Sequence, residues 1–93
     1  TFWETNINNF SSGYVVYNNL AATFYKMGNI KNAVTYCWIN LMVNPAQPHV
    51  WCNLGMLYRQ QGQIKDAIDC YQQAINIDKN YYPAHKALAE IKK

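Results

Sequence analysis

Sliding the sequence against itself by 34 residues lays Tyr14–Gln47 over Pro48–Tyr81 without a gap. Seven positions are then identical: Val16/Val50, Asn19/Asn53, Leu20/Leu54, Gly28/Gly62, Ile30/Ile64, Lys31/Lys65 and Ala33/Ala67. Conservative pairs surround them, among them Tyr17/Trp51, Phe24/Tyr58, Val34/Ile68 and Leu41/Ile75. A short unit that recurs back to back cannot bury its own apolar face. It does so against the next copy, so the chain is expected to be a stacked array.

Inside each unit the apolar spacing is helical. Tyr17, Leu20, Ala21 and Phe24 fall at i, i+3, i+4 and i+7, as do Trp51, Leu54, Gly55 and Tyr58. The small residue at Ala21 or Gly55 lets a second helix approach closely. Gly28 and Gly62 then break the helix, because glycine tolerates the positive φ of a C-terminal cap. A second apolar series follows, Ala33, Val34, Cys37 and Leu41 or Ala67, Ile68, Tyr71, Ala74 and Ile75. Asn44-Pro45 and Pro48 end it in the first unit, and Asn80 to Pro83 in the second. Each unit is expected to be two antiparallel helices joined by a tight turn.

The pattern W-x-x-L-G-x-x-Y, then Gly, then A-x-x-x-Y-x-x-A resembles the tetratricopeptide repeat family. It is carried by Trp51, Leu54, Gly55, Tyr58, Gly62, Ala67, Tyr71 and Ala74. The first unit matches less fully and departs at Cys37 and Asn40, where the family prefers an aromatic and Ala. The resemblance implies an all-α fold of antiparallel helix-turn-helix repeats, stacked as a short right-handed superhelix (an α-solenoid). Helices are expected near 14–27, 30–43, 48–61, 64–78 and 82–92. Residues 14–47 and 48–81 form two repeats, and 82–93 the first helix of a third or a capping helix. Residues 1–13 read as an N-terminal segment, either the end of a preceding repeat or, given Asn6, Asn8, Asn9 and Ser11-Ser12-Gly13, a loop. A chain opening on Thr1 is expected to be an excerpt.

Motifs that carry chemistry are missing. There is no phosphate-binding glycine loop, H-E-x-x-H or G-x-S-x-G. His85 takes the register of a packing Trp, and His49 lies beside a helix start. Asp66 and Asp69 fall where carboxylates complement the positive end of a helix. Three cysteines without C-x-x-C, at 37, 52 and 70, read as free thiols of a reducing, intracellular compartment. The expectation is no enzyme, no cofactor and no metal. A net charge of +3, with Arg59 as the single arginine, is too mild and scattered for a nucleic-acid binder. No apolar run is long enough for membrane insertion.

What remains is surface. In the family the first helix of each unit lines a concave groove. The faces turned from the core carry Asn18, Ala22 and Tyr25 in the first unit, Cys52, Asn53, Met56 and Arg59 in the second, and Lys86 and Glu90 in the third. That mixture suits a peptide or protein segment, with Arg59 and Lys86 offered to a carboxylate. A clamp for chaperone tails is not expected, since only Asn53 matches the family's set of Lys, Asn and Arg. A second apolar face comes from comparing units: Trp38, Ile39 and Met42 stand where the second unit has Gln72, Gln73 and Asn76. Trp38 and Ile39 are expected to be covered, by Phe2, Trp3, Ile7 and Phe10 or by a partner. The leading expectation is an interaction scaffold. The alternatives are the substrate-recruiting arm of a larger enzyme, such as a glycosyltransferase, and a structural subunit of a multi-subunit assembly.

Overall fold

The computed structural model describes residues 17 and 19–91. Among these it contains helices and no strand: α1 over 19–26, α2 Ile30–Val43, α3 Pro48–Gln60, α4 Ile64–Ile77 and α5 Tyr82–Ile91. The expected helix bounds agree with these to within one residue at each of the ends of α2 to α5. Residues 1–16, Asn18, Lys92 and Lys93 lie outside the described residues. So do both readings of residues 1–13.

The two inner turns are the same structure built twice. Gly28 and Gly62 have φ of 80° and 83°, a region that a side chain would strain. After α3 the Gly62 amide donates to the Arg59 carbonyl at 3.0 Å and the Gln63 amide to the Tyr58 carbonyl at 2.9 Å. After α1 the Gly28 amide reaches Tyr25 at 3.0 Å and the Asn29 amide reaches Phe24 at 2.8 Å. These paired bonds satisfy the carbonyls that a helix end leaves open. Asn29 and Gln63 then cap the following helices, and only Asn29 does so with its side chain, which accepts from the Asn32 amide. Pro48 does more than end the first unit. It occupies the first turn of α3, where its missing N–H costs nothing.

Helix α3 packs against both α2 and α4, and α4 against α5. One apolar cluster joins Ala21, Ala33, Cys37, Leu41, Val50, Leu54 and Leu57, and another joins Ala67, Tyr71, Ala74, Ala84 and Leu88. Trp51 and Tyr58 pack against both clusters and tie them together. His85, expected in the register of a packing Trp, reproduces one hydrogen bond of Trp51 but not its packing, since its side chain is exposed and joins neither cluster. Trp51 Nε1 donates to the Pro45 carbonyl six residues back at 2.8 Å, and His85 Nε2 lies 2.8 Å from the Lys79 carbonyl, also six back. A carbonyl can only accept, so Nε2 carries the proton there.

Where the two units differ, they differ in complementary pairs. A Cβ at Gly55 would lie 2.8 Å from Tyr71 Cε1 and 3.1 Å from the Ala67 carbonyl oxygen. The first unit can hold Ala21 at the equivalent place because Cys37 stands where Tyr71 does. Asn40, a departure from the family's Ala, is fully buried yet satisfied: Gln47 Nε2 donates to its Oδ1 at 3.2 Å. The same amide also reaches the Asn44 carbonyl at 2.8 Å. The second unit has Ala74 and Tyr81 at these two positions, an apolar pair in place of a polar one.

Two stability series test this coupling. Gly55→Ala should destabilise the fold by about 1–3 kcal/mol through overpacking, and adding Tyr71→Cys should recover part of that loss in chemical denaturation. Gln47→Ala should cost about 1–3 kcal/mol by leaving the buried Asn40 amide short of a partner. Asn40→Ala in the same chain should restore stability, and simple additivity of the two losses would show that the pair is not coupled.

Candidate functional site

Helices α1 and α3 lie one unit apart, so the same face of each is presented side by side. The structure brings four of the expected groove residues, Ala22, Tyr25, Asn53 and Met56, around one pocket of about 150 Å³. Its floor is apolar and was not legible as groove: Ala21, Cys37 and Leu57 are buried core residues whose surfaces close the bottom. Tyr25 Oη accepts from Gln60 Nε2 at 2.5 Å, which fixes the phenol across the gap from α1 to α3. Met56, 39% exposed, leaves a flexible thioether at the rim.

The remaining groove residues sit differently. Cys52 is half-buried against the α4–α5 cluster and does not line the pocket. Arg59 and Glu90, read from sequence as members of separate rows, meet across α3 and α5 with 3.3 Å between Nη1 and Oε2. With side chains 40% and 46% exposed, that pair is worth at most about 1 kcal/mol. It nevertheless holds the arginine that the sequence offered to a partner carboxylate. Lys86 is exposed on α5. Asn18 lies outside the described residues.

The second apolar face is divided by the fold. Trp38 turns onto the next unit, stacking edge to face on Trp51 with ring centroids 5.5 Å apart and donating from Nε1 to Tyr58 Oη at 2.9 Å. The second unit's own first helix is thus a partial cover, and among the described residues Trp38 still stands 40% exposed, short of the cover expected for it. Ile39 is half-buried, whereas Met42 stands 82% exposed. Among the described residues no cluster of His, Cys, Asp or Glu could hold a metal ion, and no helix is long and apolar enough to cross a membrane.

The cysteines are built for packing. Burial pushes the Cys37 thiol up to about 11 and Cys70, helped by the charges of Asp66 and Asp69, up to about 12. A protonated thiol is a poor nucleophile, so alkylation at pH 8 should reach half-buried Cys52 before either of them. The unfolded chain releases these two protons near pH 9 while the native state keeps them. This contribution is present in full below pH 9 and is lost as pH rises through about 11 for Cys37 and about 12 for Cys70. Denaturation midpoints should fall across that window, and less steeply for Cys37→Ala with Cys70→Ala.

Comparison with known proteins agrees with this architecture. The family model described as tetratricopeptide repeat matches residues 48–81, the unit whose pattern is complete. The sol locus transcriptional repressor of Clostridium acetobutylicum is 32% identical over 76 residues, covering 82% of this chain. Anaphase-promoting complex subunit 6 of Dictyostelium discoideum is 31% identical over 74 residues, covering 76% of it. The chain spans 24% and 9% of the lengths of these curated relatives. A solved structure, the second tetratricopeptide domain of Spaghetti (RPAP3) bound to the HSP90 peptide SRMEEVD, superposes with a TM-score of 0.73. It is 19% identical, and the match covers 85% of this chain and 80% of that one. The family match identifies residues 48–81 as a tetratricopeptide repeat, and the repeat period, paired glycine turns and stacked antiparallel helices give the described residues the all-α fold of such repeats.

Proposed function

We propose that the chain is a non-catalytic interaction module that holds a peptide or protein segment against the faces of α1, α3 and α5. The observation that carries this reading is the convergence of Ala22, Tyr25, Asn53 and Met56 on one apolar-floored pocket. Such a floor takes an apolar side chain, while Asn53 and Tyr25 at the rim can hydrogen-bond a peptide backbone. The solved neighbour bound to a peptide, and the relative that is a subunit of a complex, support a protein partner. Three free thiols fit a reducing compartment.

The charges give the reading its specificity. Lys86 is an exposed cation on α5, and Arg59, which makes one contact to Glu90, shares its remaining N–H groups between Glu90 and a partner carboxylate. An acidic segment therefore competes with Glu90 for the same guanidinium.

A random peptide library selected on the chain supplies the probe, with affinities measured by calorimetry. Tyr25→Ala and Met56→Ala should each weaken binding of the selected peptides roughly tenfold, the loss of one well-packed contact. Glu90→Ala should free Arg59, raising affinity for peptides that carry a carboxylate and steepening its salt dependence. Lys86→Ala should act in the opposite direction. Selected peptides whose binding ignores all four variants would place the partner elsewhere on the array.

A further inference from the structure

A second pocket, of about 290 Å³, shares no lining residue with the groove. Trp38 of α2 and Asp66 and Asp69 of α4 line its sides, and Trp51 and Tyr58 of α3 line it with Cys70. The register between units explains why it is open. In the first unit Tyr36 fills this place: its ring lies parallel to Phe24, with centroids 5.4 Å apart and an interplanar angle of 7°, and also stacks on Tyr17 at 6.4 Å. In the second unit Tyr58 and Trp51 stand for Phe24 and Tyr17, but Cys70 stands for Tyr36. One ring of the stack is missing.

The rings that remain are held in place. Both indole N–H groups are used internally, Trp38 on Tyr58 Oη at 2.9 Å and Trp51 on the Pro45 carbonyl at 2.8 Å. The two indoles stand at 87° to one another, two sides of a corner. The vacated place is also negative. Asp66 and Asp69 replace Asn32 and Thr35 of the first unit, and neither is ion-paired among the described residues. The helix dipole accounts for Asp66 in the first turn of α4, but its influence has faded by Asp69 in the second. The field of both carboxylates reaches Cys70, whose thiol is held protonated partly by them.

We propose that this cleft takes an arginine side chain of a partner protein, its guanidinium stacked in the register of the missing ring and paired with Asp66 and Asp69. A planar cation satisfies both features at once, which a lysine ammonium does not. The chain's net charge of +3 repels cations in general, so capture of an arginine here comes from the cleft and not from the overall field.

The test is a titration of the chain with the capped pentapeptide Gly-Gly-Arg-Gly-Gly, followed by the indole Nε1–H resonances in NMR. The Trp38 and Trp51 signals should shift, and the Lys counterpart should bind about fivefold more weakly for want of stacking. Asp66→Asn with Asp69→Asn should weaken the arginine peptide roughly tenfold. Cys70→Tyr should rebuild the first unit's stack and abolish the shifts, with helical circular dichroism unchanged. Should Cys70→Tyr not fold, the paired Asp→Asn variant still decides, since both side chains are exposed. Equal affinity for the Lys peptide, or shifts that survive either variant, would overturn the assignment.

Discussion

Helix α3 can lie against α4 only because Gly55 has no side chain where Tyr71 and the Ala67 carbonyl press closest to it. That approach sets the spacing of the second unit. It brings Tyr71, 2% exposed, into the core with Ala67, Ala74, Ala84 and Leu88, and so gives α5 a surface to dock on. It also fixes α3 from one side while α2 packs against the other. Trp51 and Tyr58, reaching both clusters from this one helix, then make the junction between units continuous. The groove and the aromatic cleft are both consequences, because α3 contributes residues to each.

The two repeats share a backbone and solve their interiors differently. Ala21 with Cys37 and Gly55 with Tyr71 divide one volume in two ways, small against small-to-medium and nothing against large. Asn40 with Gln47 and Ala74 with Tyr81 are a satisfied polar pair and an apolar pair at the same positions. Dense interiors penalise half of such an exchange, whether by a clash, a void or a stranded amide. The first unit can therefore stray from the family pattern without straying from the fold. Its Cys37 and Asn40 are not defects of the repeat, since each has its compensating partner.

Charge on the array is arranged by stacking as much as by composition. Arg59 belongs to the second unit and Glu90 to the third, and they meet only because α5 follows α4 around to α3's side. Trp38 belongs to the first unit, Asp66 and Asp69 to the second, and they share a cleft because α2 and α4 both pack on α3. In a repeat protein the junctions are where unlike residues from like units come together.

The amino-acid sequence alone determined the period, the helix order, the glycine turns and the helix ends, because these depend on spacing and on local backbone chemistry. It also placed Ala22, Tyr25, Asn53 and Met56 on one face, since residues i, i+3, i+4 and i+7 share a face whatever packs beside them. Contacts between helices were decided only by the tertiary structure. No periodicity tells that Cys52 turns toward α5, that Glu90 holds Arg59, or that Trp38 lies on Trp51 and leaves Met42 exposed. The void left by Cys70 belongs to the same class. Its sign in the sequence, a Tyr36-Cys37 pair reversed to Cys70-Tyr71, becomes a cleft only when the neighbouring rings are in place to frame it. Spacing along one chain fixes which way a side chain points, while distances of 20 to 35 residues along the chain are closed by packing alone.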